Sequence, residues 1–246
     1  MGNSQDIRKT GDAPAEQPSS RGEIDAFLED VARAPVKKPE AGRRGRLIFA
    51  LDATASRQPA WDQACQLQGE MFEAAAHLGG LDIQLVYYRG FRECRAGRWV
   101  SDADALHRQM QQVFCVGGHT QIERVLKHTL KENMKDPVQA LVFVGDALEE
   151  NVDSLCHQAG KLGLAGVPAF MFQERRDAVV ESAFRQVARL SGGAWAPFDV
   201  ASAATLRELL QAVAVFASGG RSALEGFAGH TSGAQRLIGQ MTQKAS

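Results

Sequence analysis

Apolar residues follow two rhythms that alternate along this chain. Leu47-Ile48-Phe49-Ala50-Leu51 is an unbroken apolar run ending at Asp52, the pattern of a strand buried on both faces. Ile83 to Tyr88, Ala140 to Val144, Val167 to Phe172 and the short Ala194 to Phe198 repeat it. Between these runs the spacing turns helical. Trp61, Ala64, Cys65, Met71, Phe72, Ala75 and Leu78 keep a helical period after Pro59 until Gly79-Gly80 stops it. Ile122, Val125, Leu126, Thr129 and Leu130 mark a second face, and further helices are predicted near 152–164, 177–190 and 202–217. Phe91 to Val100, with a turn near Ala96-Gly97, predicts a hairpin return that adds an edge strand. Ser101-x-x-Asp104 and Thr120-x-x-Glu123 read as capping boxes opening helices. Strands alternating with helices imply an α/β fold, doubly wound, with a mainly parallel central sheet, helices on both faces and one antiparallel edge strand.

This pattern occupies residues 46–218. Residues 1–45 are rich in charge and proline and predict a flexible arm. Ile24, Phe27, Leu28 and Val31 form a short amphipathic helix in that arm, ended by Pro35. Residues 219–246 predict a Gly/Ser-rich tail with a short helix near Gln235 to Met241.

Composition removes several function classes. With 28 basic and 29 acidic side chains in 246 residues, the chain lacks the basic excess of a dedicated nucleic-acid binder. No apolar run approaches the ~20 residues a membrane span needs. The N-terminus has no apolar stretch to act as a secretion signal, and Asp6 stands where a myristoylation site needs Ser or Thr. A cytoplasmic location, with no membrane partner, is the expectation. The 4 cysteines, Cys65, Cys94, Cys115 and Cys156, make no C-x-x-C pair and read as reduced, buried thiols.

In such sheets ligands bind beyond the carboxyl ends of the strands, where strand order reverses. Asp52-Ala53-Thr54-Ala55-Ser56 follows the first buried strand, Gly118-His119-Thr120 opens a helix, and Asp146 ends the next buried strand. A doubly wound order makes the strands ending in Asp52 and Asp146 neighbours. Two carboxylates in a partly dry crevice repel unless one protonates or a cation lies between them. Thr54, Ser56 and Thr120 add hydroxyl oxygens, and an all-oxygen donor set suits Mg²⁺, with Mn²⁺ as a substitute. No Ser/His/Asp or Cys/His set stands out, and no phosphate-cradling Gly-rich loop follows the first strand, so no catalytic residue is predicted. Each candidate also has a structural role open to it: Thr120 capping its helix, Asp146 bracing its loop, Asp52 closing its strand. Arg89, Arg92, Arg95 and Arg98 read as a solvated sheet edge, or as a basic border that attracts acidic partners.

Leu47 to Ser56 resembles the first motif of von Willebrand factor A (VWA) domains, Asp-x-Ser-x-Ser after an apolar strand. Gly117-Gly118-His119-Thr120 before Ile122 resembles the second motif, and Val144-Gly145-Asp146 the third. The resemblance spans about 46–217 and implies a bacterial, stand-alone, cytoplasmic domain with a Rossmann-like fold. It implies a metal-ion-dependent adhesion site at Asp52, Thr54, Ser56, Thr120 and Asp146, where Mg²⁺ accepts an Asp or Glu carboxylate from a partner protein. Bacterial domains of this kind often work with ATPases or multiprotein assemblies. The chain departs from the motifs at Thr54, in place of the first Ser, at Gly145, in place of Thr, and at Ala147, in place of Gly. Two alternatives stand beside this reading. A haloacid dehalogenase-like phosphatase would use Asp52 as nucleophile, although Thr54 replaces its usual acid. A degenerate VWA scaffold would bind no metal.

Overall fold

The computed structural model describes residues 43–198 and 203–228. The amphipathic stretch near residue 27 and the short helix predicted near residue 238 lie outside them. The described elements run β1 (Gly45–Asp52), α1 (Gln58–Ala75), β2 (Leu81–Arg89), β3 (Glu93–Val100), α2 (Ala103–Gln111), α3 (Ile122–Lys135), β4 (Ala140–Gly145), α4 (Val152–Ala165), β5 (Ala169–Glu174), α5 (Ala178–Ser191), β6 (Trp195–Phe198) and α6 (Ala203–Ala228).

Six strands form one sheet in the order β3-β2-β1-β4-β5-β6. Every pairing is parallel except β2 with β3, so the sheet is doubly wound with one antiparallel edge strand, as the sequence predicts. The alternation within β1 shows why it is apolar throughout. Leu47, Phe49 and Leu51 join a core layer with Trp61, Met71, Leu106 and Leu209 from α1, α2 and α6. Ile48 and Ala50 point the other way, into a layer with Val125, Leu155 and Phe184 from α3, α4 and α5. Strand order reverses between β2 and β4, on either side of β1. Among the described residues, no helix is long and apolar enough to cross a membrane. All four cysteines are free and partly buried, and burial pushes the thiols of Cys65, Cys94 and Cys115 up to about 11.

Three local expectations give way. The hairpin turns before Glu93, not at Ala96-Gly97, which lies inside β3. There a step of two residues on β2, Gln84 to Val86, faces a step of three on β3, Ala96 to Trp99. The glycine therefore marks a bulge, the other role Gly takes in a strand. Helix α2 is capped by the Asp102 carboxylate, which accepts from the Ala105 amide at 2.8 Å, while Ser101 donates to Asp82. Helix α6 continues past residue 218. It breaks at Gly220 (φ 72°, ψ −167°) and resumes with Leu224 buried against the core.

Candidate functional site

The first carboxylate is placed by β1. Asp52 is that strand's last residue, pairs with Tyr88 of β2, and is 3% exposed. Its Oδ1 accepts the Thr54 amide at 2.7 Å, which folds the following loop back over the strand end. Its Oδ2 and the Tyr88 hydroxyl are buried without a hydrogen-bond partner. Burial raises the Asp52 carboxyl above the ordinary carboxylate range. The bonds from Thr54 and the charge of Arg57 oppose that rise, and the charge of Asp146 adds to it. The strand order sets the ends of β1 and β4 side by side, as the sequence predicts, and the charge of Asp146 reaches Asp52.

Gly145 explains one departure from the motif. A Cβ there would lie 2.8 Å from the Phe143 ring and 3.7 Å from the Asp52 Cβ. The Phe143 ring, stacked on Tyr88 with centroids 6.2 Å apart, fills the space that a threonine would need.

Thr120 sits in a loop pinned from outside its own helix. Its hydroxyl accepts the Glu149 amide at 3.0 Å, and its amide donates to Glu149 Oε2 at 2.9 Å. It does not cap α3. The open amides at that helix start, Ile122 and Glu123, donate instead to the Glu150 carboxylate. The predicted capping box is therefore replaced by a cap from the β4–α4 loop, and burial raises the Glu150 carboxyl despite these bonds. Gly118 lets the loop pass the hairpin tip, since a Cβ there would lie 2.0 Å from the Gly90 carbonyl oxygen.

Sequence reasoning missed the residue at the centre. Arg57 closes the short 3₁₀ turn after β1 and is 1% exposed. Its Nη1 lies 3.4 Å from Asp146 Oδ2 and is ion-paired with Glu174 at the end of β5. One guanidinium from the β1 loop thus ties together the carboxyl ends of β1, β4 and β5. Thr54 is half-buried and Ser56 exposed on the same loop. The readable signal was an arginine next to the motif's last hydroxyl, with acids following two later strands.

No family model and no curated protein matches this chain. Solved structures do. The von Willebrand factor domain of the type V pili tip protein Mfa5 from Porphyromonas gingivalis superposes with a TM-score of 0.54 at 9% identity, covering 70% of this chain and 96% of that one. The SpRpn10 VWA domain superposes with a TM-score of 0.51 at 9% identity, covering 64% and 89%. The fold is that of a VWA domain. Proximal thread matrix protein 1 from the mussel byssus, with a zinc-occupied MIDAS motif, gives a TM-score of 0.52 at 15% identity over 70% of this chain. The chain spans 46% of that protein and 62% of the PilB minor pilin of Streptococcus sanguinis.

A VWA metal site would need Asp52, Thr54, Ser56, Thr120 and Asp146 to face one ion. Here the Asp146 carboxylate faces Arg57, and the Thr120 hydroxyl accepts the Glu149 amide. At ~4 Å and an effective dielectric constant of about 20, a unit positive charge repels a divalent ion by roughly 8 kcal/mol, as much as one carboxylate attracts it. The guanidinium cancels what Asp146 offers. The residues present do not fit a bound divalent ion while Arg57 is in place.

Proposed function

We propose that this chain is a non-catalytic protein-interaction module that binds an acidic segment of a partner protein at the loops beyond the carboxyl ends of β1, β2 and β4. The observation that carries this reading is a pair of aromatic side chains left in solvent beside the site. Phe91 and Phe114 are 72% and 71% exposed. They lie on two loops joined by hydrogen bonds from the Gly90 amide to the Val116 carbonyl and from the His119 amide to the Gly90 carbonyl. The Val116 amide in turn donates to the Ala53 carbonyl, next to Asp52. Phe91 meets His119 edge-on at 5.0 Å. Arg92 is exposed beside it and has no ion pair among the described residues. Aromatic residues and arginine are the types enriched where protein surfaces bind one another, and the free positive charge selects an acidic partner.

The same geometry disfavours a phosphatase. A nucleophilic carboxylate has to be reached by its substrate, and Asp52 is buried with one oxygen held by the Thr54 amide. The metal-dependent form of the module would hold Mg²⁺ or Mn²⁺ at Asp52, Thr54, Ser56, Thr120 and Asp146, and it requires Arg57 to leave Asp146. Docking on Phe91, Phe114 and Arg92 does not require it.

A displayed library of random peptides, panned on the full chain, tests the proposal. Enriched peptides should carry Asp or Glu beside apolar residues, and a Phe91→Ser/Phe114→Ser variant should bind them at least about tenfold more weakly. Peptides that bind the double variant as well as wild type would sink the reading.

A further inference from the structure

A cluster of buried acids at the end of a sheet needs a positive charge, and this chain supplies one covalently. Asp146 follows β4 and Glu174 ends β5; their side chains are 8% and 11% exposed. Both face the guanidinium of Arg57, the largest fully buried side chain among the described residues. Arg57 follows directly on Thr54-Ala55-Ser56, so the loop that carries the VWA hydroxyls also delivers the cation. A guanidinium at 1% exposure would be prohibitively costly without opposite charge, as would two buried carboxylates. Their attraction offsets part of that cost, while Arg57 Nε and Nη1 and Glu174 Oε2 make no hydrogen bond.

We propose that Arg57 is the resident cation of this site, taking the place of a divalent metal, so that the docking face is held in shape by a guanidinium and works without Mg²⁺ or Mn²⁺. The proposal goes beyond the docking reading and does not depend on which partner binds. It also makes the module indifferent to divalent-ion supply, because the charge that organises the loops cannot dissociate.

Mn²⁺ titration of the full chain, followed by the electron paramagnetic resonance of free Mn²⁺ and by thermal melting in chelator or in excess Mn²⁺, tests this without any partner. Wild type should take up no Mn²⁺ and melt at the same temperature in both conditions. Arg57→Met keeps the apolar stem and removes the charge. It leaves Asp52, Asp146 and Glu174 uncompensated, and it should melt lower in chelator, take up one Mn²⁺ and regain melting temperature when Mn²⁺ is added. If that variant does not fold, Arg57→Met/Asp146→Asn/Glu174→Gln gives the second reading. Removing both sides of the pairing should restore a cooperative transition that the single substitution lost. Stoichiometric Mn²⁺ uptake by wild type, abolished in Asp146→Asn, would overturn the proposal. So would a folded Arg57→Met chain that ignores Mn²⁺, or a triple variant no better folded than the single one. Because peptide binding is measured separately, a failed panning experiment leaves the outcome of this one unaffected.

Discussion

The two ends of the sheet are both fastened by arginine and carboxylate, yet in opposite physical regimes. At the amino end, Arg43 meets Asp136 at 2.8 Å and Arg44 meets Asp82 at 2.7 Å, with the arginine side chains 51% and 41% exposed. Arg46 lies over the Trp99 ring at 3.9 Å and reaches Glu132 at 3.8 Å. Water reaches the Arg43 and Arg44 pairs, so losing either releases ions that can rehydrate, whereas Arg46 and Glu132 are only 12% and 7% exposed. At the carboxyl end, Arg57, Asp146 and Glu174 have almost no water to fall back on. There the pairing adds little over an apolar replacement, but breaking it strands a charge. The outer pairs of the amino end tolerate change, whereas the carboxyl end requires its charges to balance.

The sharpest way to break this contrast is to remove Arg57 alone. Arg57→Met should cost about 3–5 kcal/mol in urea unfolding without metal, the range for breaking a buried pair; a loss under about 1 kcal/mol would place the carboxyl end in the same regime as the surface pairs. Glu150→Ala comes next, because its carboxylate serves the open amides of Ile122 and Glu123. A loss of about 1–2 kcal/mol is expected from the same unfolding experiment, with the 119–121 loop exchanging its amide hydrogens faster. An unchanged midpoint would mean that these amides are served equally well by water.

Asp52→Asn should act in the opposite direction. The folded-state carboxyl of Asp52 is raised by burial, so its contribution favours the fold at low pH and is lost as pH rises through that raised value. Asparagine keeps an oxygen for the Thr54 amide and removes the charge. Melting curves between about pH 4 and pH 8 should show the variant gaining on wild type as pH rises. A variant that loses ground toward neutral pH would show that Arg57 holds Asp52 firmly ionised. The smallest effect is expected at the amino end. Arg43→Ala should cost less than about 1 kcal/mol, and most of that should vanish in high salt. A loss that salt does not reduce would mean that Arg43 acts through packing.

How much of this was legible beforehand depends on range. Leu47 to Leu51 announces a central strand by itself, because a segment buried on both faces must be apolar at every position. The reversal of strand order beside Asp52 follows from the alternation of elements, and the order β3-β2-β1-β4-β5-β6 bears it out. The edge of the sheet was harder to read. Gly97 looked like a turn because a turn and a bulge ask for the same residue, and only the pairing of β2 with β3 separates the two. Thr120-x-x-Glu123 has the spacing of a capping box, but spacing cannot show that Glu150 arrives from another loop to serve the same amides.

The sequence by itself determined the strands, the two faces of β1, and the chain positions at which Asp52, Thr54, Ser56, Thr120 and Asp146 would come to the sheet's carboxyl edge. Those are consequences of local periodicity, which burial enforces residue by residue. Only the tertiary structure decided which charge answers which. Arg57 finds Asp146 and Glu174 because β1, β4 and β5 lie side by side, and a long side chain in a dry crevice must end on whatever opposite charge the fold brings within reach.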